Sequence, residues 1–140
     1  MADTKRLPVD VGFLSTLLHS IDAGIAWYLD SATGDFLSEE LDEIPEDPEE
    51  AGLIYIEPVE SWRAYEDMKD FIDTVESDEL AVRLSRAITG RGAFRYFKDV
   101  LYDYPEEQAR WYKFRDARER ERTLEWLADE DIEAVEEERE

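Results

Sequence analysis

The residues best equipped for chemistry lie in one run, Thr89-Gly90-Arg91-Gly92-Ala93-Phe94-Arg95-Tyr96-Phe97-Lys98-Asp99-Val100-Leu101. A Gly-Arg-Gly turn feeds a helix there, and the free N–H groups and positive dipole end of a helix start favour an anion. Arg95 and Lys98 are three apart on that helix, so both share a side while Phe94 and Phe97 face the core. Arg91 joins them from the turn. Arg91, Gly92, Arg95 and Lys98 are therefore the candidate anion-binding residues, suited to carboxylate or phosphate through planar guanidinium forks and backbone amides. The glycine spacing and the absence of a Lys-Ser/Thr pair exclude a Walker loop. The same turn also needs glycine for its backbone angles alone, and Arg95 can pair with Asp99 four residues on.

The surroundings of this run widen the choice. Residues 83–122 hold eleven bases against seven acids, a local +4 in a chain of net charge −22. Aromatic residues interleave with those bases: Tyr96, Tyr102, Trp111, Tyr112 and Phe114. Trp111 and Phe114 are the aromatic contacts expected beside the cations. Stacking plus phosphate contact would suit nucleic acid, although a nucleic-acid domain ordinarily shows a clear basic excess overall. Self-association is a further reading, since one chain carries both acidic and basic surfaces.

Catalysis has weaker footing. Asp30, Glu57 and Glu60 are the carboxylates that could meet as a pair, where like charges raise one pKa. Ser and Thr lack any nucleophile-elbow motif. His19 is the one histidine, and it lies beside an apolar stripe with no second histidine to share a metal. There is no cysteine, which removes disulfides, thiolate zinc sites and cysteine nucleophiles together. Residues 39–50 hold eight carboxylates, yet lack the alternation and central glycine of a calcium loop, so they read as a solvated charge run. No cofactor and no metal site is expected, and the chain reads as non-enzymatic.

These residues must be positioned by a folded body. At 140 residues, with 43% hydrophobic and 12% aromatic residues, the chain is long enough for one domain with a packed core. Asp10 caps a first helix carrying Val11, Leu14, Leu17, Leu18 and Ile21, which Asp22-Ala23-Gly24 ends. Residues 25–30 and 35–38 form a hairpin around Gly34, and 53–58 form a third strand that Pro58 ends. Helices follow over 61–75 with Ser61 as cap, over 78–89 with Leu80, Leu84 and Ile88 at i, i+4 spacing, and over 93–104 with Phe94, Phe97, Leu101 and Tyr104 on one stripe. Gly90 closes the second of these, and Pro105 opens a last helix over 106–127. The expected fold class is α+β: a small three-stranded antiparallel sheet packed with about five helices, the C-terminal half all helical. It is read as one domain over 1–128, followed by an acidic, frayed tail over 129–140.

The run from Gly90 to Leu101 resembles uncharacterised protein family 0158 of the UPF series, a bacterial group. So do Tyr28-Leu29-Asp30 with Thr33-Gly34, the strand at 54–58, Phe71-Ile72, Trp111 with Phe114, and Trp126-Leu127. The resemblance covers roughly residues 25–127. It implies a small α+β domain and brings no activity, cofactor or catalytic residue with it.

The expectation is a cytoplasmic, non-enzymatic binding or regulatory module. Its 83–122 segment would engage an acidic protein or phosphorylated ligand, with nucleic acid, a homodimer contact or a carboxylate enzyme as alternatives. No run is long and apolar enough for a membrane span, so no membrane association is expected. With 38 acids, twelve Arg and only four Lys, the surface also fits adaptation to concentrated salt, where repulsion is screened.

Overall fold

Short apolar runs at either end of the chain and long amphipathic helices in its middle give two compact units in the computed structural model, which describes residues 4–19 and 24–135. The flanking unit comprises Met1–Val59 and Glu119–Glu140, and the central unit Glu60–Arg118.

In the flanking unit, strand β1 (Lys5–Leu7) leads to helix α1 (Val11–Leu18). The Asp10 carboxylate accepts the Phe13 N–H at 3.0 Å, satisfying a donor the helix itself cannot. Ile21 and the expected stop at Asp22-Ala23 lie outside the described residues. Strands β2 (Trp27–Asp30), β3 (Phe36–Ser38) and β4 (Leu53–Tyr55) form the antiparallel sheet in the order β3-β2-β4. Tyr28 faces Leu37 on one side and Tyr55 on the other.

Alternation sends Leu29 to the core, with Trp27, Phe36 and Ile54 packed partly against the same cluster. The hairpin closes at Gly34, whose φ of +83° is left-handed and whose missing Cβ would lie 3.2 Å from the Pro8 carbonyl oxygen.

In the central unit, helices α2 (Ser61–Ile72), α3 (Asp78–Ala87) and α4 (Ala93–Tyr102) precede helix α5 (Pro105–Asp129), which starts here and ends in the flanking unit. Glu60, not Ser61, is the cap residue of α2, and its carboxylate receives the Trp62 indole N–H instead of a backbone amide. Ser77 caps α3 by accepting the Leu80 N–H at 3.2 Å. The core is aromatic: Phe71 meets Trp111 at 5.3 Å and Phe114 at 5.5 Å between ring centres, and Phe97 meets Trp111 at 4.9 Å, edge to face for all three. Leu80, Leu84 and Ile88 of the α3 stripe join this cluster as their spacing predicts.

The fold is α+β, and the described residues form five helices and a three-stranded antiparallel sheet. One element differs from expectation. Residues Ile132–Ala134 (strand β5) pair in parallel with β1, Lys5 opposite Ile132 and Leu7 opposite Ala134, instead of fraying. The reason is local: Asp131 takes φ +59° to turn the chain out of α5, and Ile132 then buries beside Leu7. Residues 136–140 lie outside the described part.

Candidate functional site

Helix α4 begins at a pair of left-handed glycines. Gly90 has φ +89° in open space, while Gly92, the cap residue, has φ +77° and lies under the Tyr96 ring, where a Cβ would come within 3.0 Å of a ring carbon. No side chain caps the start of α4. Ala93, Phe97 and Leu101 are buried on one face. At 3.6 residues per turn, Arg95 and Tyr102 are about two turns apart on the opposite face, with Lys98 roughly 60° away. Arg91, Arg95 and Lys98 are all exposed, and Tyr102 is 77% exposed.

Among the described residues, Arg86, Arg91, Arg95 and Lys98 make no ion pair or side-chain hydrogen bond, and Arg95 does not pair with Asp99. Phe94, expected on the core stripe, is 39% exposed and borders the cationic face instead. Its position one residue after Ala93 rotates it away from the line through Ala93, Phe97 and Leu101.

The two expected contact aromatics have other neighbours. Trp111 is only 5% exposed, its ring held among Phe71, Phe97 and Phe114. Phe114 is half-buried and carries the Arg118 guanidinium 4.9 Å over its face. The aromatic rings available at the cationic helix are its own, Tyr102 and Phe94, with Tyr96 over Gly92. The spacing that marks them is present in the sequence, since Tyr102 follows Arg95 by seven.

Several arginines of the central unit are engaged. The Arg83 guanidinium donates to the Tyr104 hydroxyl at 2.9 Å and lies 3.6 Å from Asp103, which together hold its pKa above the ordinary value. Arg110 donates to Glu107 at 2.8 Å and to Thr74 Oγ1 at 2.7 Å while stacking 4.4 Å over Phe71. The hydrogen bond from Arg110 pushes the Glu107 carboxyl below the usual carboxylate range. Arg118 reaches Asp70 at 2.9 Å and the buried Asp67 at 3.7 Å. Arg110 and Arg118 of α5 thus brace the unit.

The carboxylates considered for catalysis do not form a pair. Asp30 accepts the Ala32 N–H at 2.8 Å within its own turn, Glu60 holds the Trp62 indole, and Glu57 is exposed without a hydrogen-bond partner among the described residues. His19 ends α1. Its Nδ1 is 2.8 Å from the Ser15 carbonyl oxygen and its Nε2 is 3.2 Å from an Arg122 nitrogen, which can only donate. His19 thus serves as a bracket between α1 and Arg122 of α5. Among the described residues no group of three or more His, Asp or Glu side chains is arranged to hold a metal ion, and no helix is long and apolar enough to cross a membrane.

The fold and this face define a small acidic α+β protein with a cationic helix at its surface. The chain belongs to the uncharacterised protein family UPF0158, whose match spans residues 7–139. It is similar to the UPF0158 protein PA5073 of Pseudomonas aeruginosa, 33% identical over 135 residues, covering 91% of this chain and 86% of that protein. No solved structure matches the chain.

Proposed function

We propose that the protein is a non-enzymatic binding module whose α4 face engages an anionic segment of a partner protein, carboxylate-rich or phosphorylated. One observation carries the reading. Residues 80–98 contain five bases and no acid, in a chain with more than twice as many acids as bases, and four of those bases have no partner among the described residues. Unpaired arginines cost little on a surface, but keeping acids out of nineteen consecutive residues of so acidic a chain leaves a local field that attracts anions. Tyr102 and Phe94 supply apolar area beside the charge, which a peptide with mixed acidic and apolar side chains can cover. A long polyanion would meet the repulsion of the whole chain, so nucleic acid suits this surface less well.

The test is a triple substitution, Arg91→Ala with Arg95→Ala and Lys98→Ala, titrated with fluorescent deca-glutamate, inorganic phosphate and oligo(dT). Deca-glutamate affinity should fall roughly tenfold, the sum of three exposed ion pairs, with an unchanged circular dichroism spectrum. Unchanged affinity would overturn the reading. A larger loss for oligo(dT) than for deca-glutamate would favour nucleic acid as the partner.

A further inference from the structure

Which anionic segment α4 binds is suggested by a second surface of the same chain, and the inference rests on the reading of α4 just given. The turn after β3 reads Glu39-Glu40-Leu41-Asp42-Glu43. Its backbone is fixed locally. The Ser38 hydroxyl accepts the Leu41 N–H at 3.1 Å, and the Asp42 carboxylate accepts the Ser38 N–H at 2.9 Å. The Asp42 N–H in turn donates to the Ser38 carbonyl at 2.9 Å. This closed turn holds Leu41 outward, 78% exposed, between carboxylates on both sides. It is a hydrogen-bonded acidic knob with an apolar tip.

The α4 face is the converse: Arg95 and Lys98 unpaired, with Tyr102 as exposed as Leu41. Burying Leu41 against Tyr102 would remove two large apolar side chains from water while Glu40 and Glu43 meet Arg95 and Lys98. We propose that the acidic turn of one copy, residues 39–43, docks on the Arg95–Lys98–Tyr102 face of α4 in a second copy. The contact joins unlike surfaces, so two such contacts close a dimer about a two-fold axis, or one propagates from copy to copy. Both copies carry −22, but that repulsion is screened beyond about 8 Å at physiological ionic strength, leaving the local match to decide.

The test is sedimentation equilibrium of the full chain in ~0.15 M KCl across a concentration series. The wild type should exceed the 16.4 kDa monomer mass as concentration rises. Arg95→Glu with Lys98→Glu should raise the dissociation constant about tenfold or more, and so should Glu40→Lys with Glu43→Lys. Mixing the two reversed variants should restore association, because each then supplies the charge the other has lost. Leu41→Ser should weaken it as well, at a residue too exposed to carry the fold. Lys69→Glu, exposed on α2, should leave it unchanged.

A chain that stays at monomer mass throughout, or a mixture no better than either variant alone, overturns the proposal. If the monomer nevertheless binds deca-glutamate through Arg91, Arg95 and Lys98, the self-docking idea fails while the anion-binding face stands.

Discussion

The two units solve the charge problem differently. The central unit holds eleven bases and thirteen acids, near balance, and pairs four of its arginines: Arg110 with Glu107, Arg118 with Asp67 and Asp70, Arg83 with Asp103 and Arg115 with Asp116. The flanking unit holds five bases against twenty-five acids, and the pair Arg6–Glu133 spans 3.9 Å between two exposed side chains. Its cohesion must come from the aliphatic cluster of Leu14, Leu18, Leu29 and Leu127, with charge acting against it. The central unit instead combines an aromatic core with arginines that stack on its rings, as Arg110 does over Phe71. The lesson is where cations remain unpaired. Among the described residues they include Lys69 and Lys113 as well as Arg86, Arg91, Arg95 and Lys98, but the last four lie in one stretch, residues 80–98, that holds no acid, which is why that face stands out.

The strongest way to break this comparison is to remove the aromatic centre of one unit and ask what happens to the other. Phe71 is fully buried against Phe97, Trp111 and Phe114, so Phe71→Ala should cost about 3–5 kcal/mol. We propose that the two units form one cooperative domain, because α5 runs unbroken from one into the other. Hydrogen exchange then has a definite expectation. Protection should fall together in both units, at the amides of the buried Leu84 and Leu101 and at those of the buried Leu14 and Leu29. Full protection of the flanking unit in the variant would make the units independent and end the single-domain reading.

Salt sharpens the contrast next. With an excess of twenty acids, the flanking unit gains from screening, and we propose that the composition is an adaptation to concentrated salt. Raising KCl from ~0.05 to ~1 M should lift the melting temperature by roughly 3–4 °C, the equivalent of about 1 kcal/mol for a domain of this size. Protection should increase more at Leu14 and Leu29 than at Leu84 and Leu101. A melting temperature that fell steadily as KCl rose would refute the proposal.

Much of the fold was legible because local physics acts alone there. Leu80, Leu84 and Ile88 at four-residue spacing, Gly90 at a left-handed stop and Pro105 at a helix start each need no distant partner. The β1–β5 pair was not legible, since three residues at each end show no alternation long enough to mark a strand, and their pairing joins Lys5 to Ile132. The acidity of that tail points to fraying, but a buried Ile132, a left-handed Asp131 and the ladder to β1 hold residues 132–134.

At the candidate site, the cations were legible and their aromatic neighbours were not. Trp111 and Phe114 stand among bases in sequence, whereas on α5 the ring of Trp111 is buried in the core and the half-buried Arg110 and Arg118 lie over Phe71 and Phe114. The bracket between His19 and Arg122 joins residues 103 apart, beyond any periodicity.

The smallest effect concerns a charge pair inside the balanced unit. Arg110 holds the Glu107 carboxyl below its ordinary range, so the charged form is favoured in the folded state. A lowered folded pKa contributes stability that is fully present above the unfolded value, about 4.3, and is lost as pH falls through the folded value. Both side chains are partly exposed, which limits the contribution to about 0.2–1 kcal/mol. Urea unfolding of the wild type and of Glu107→Gln should therefore differ by that amount near neutral pH and converge in acid, once Glu107 is protonated in both states. A difference that persisted undiminished in acid would mean that Glu107 acts through packing on Arg110 and Phe71, and that the central unit owes less to its paired charges than its geometry indicates.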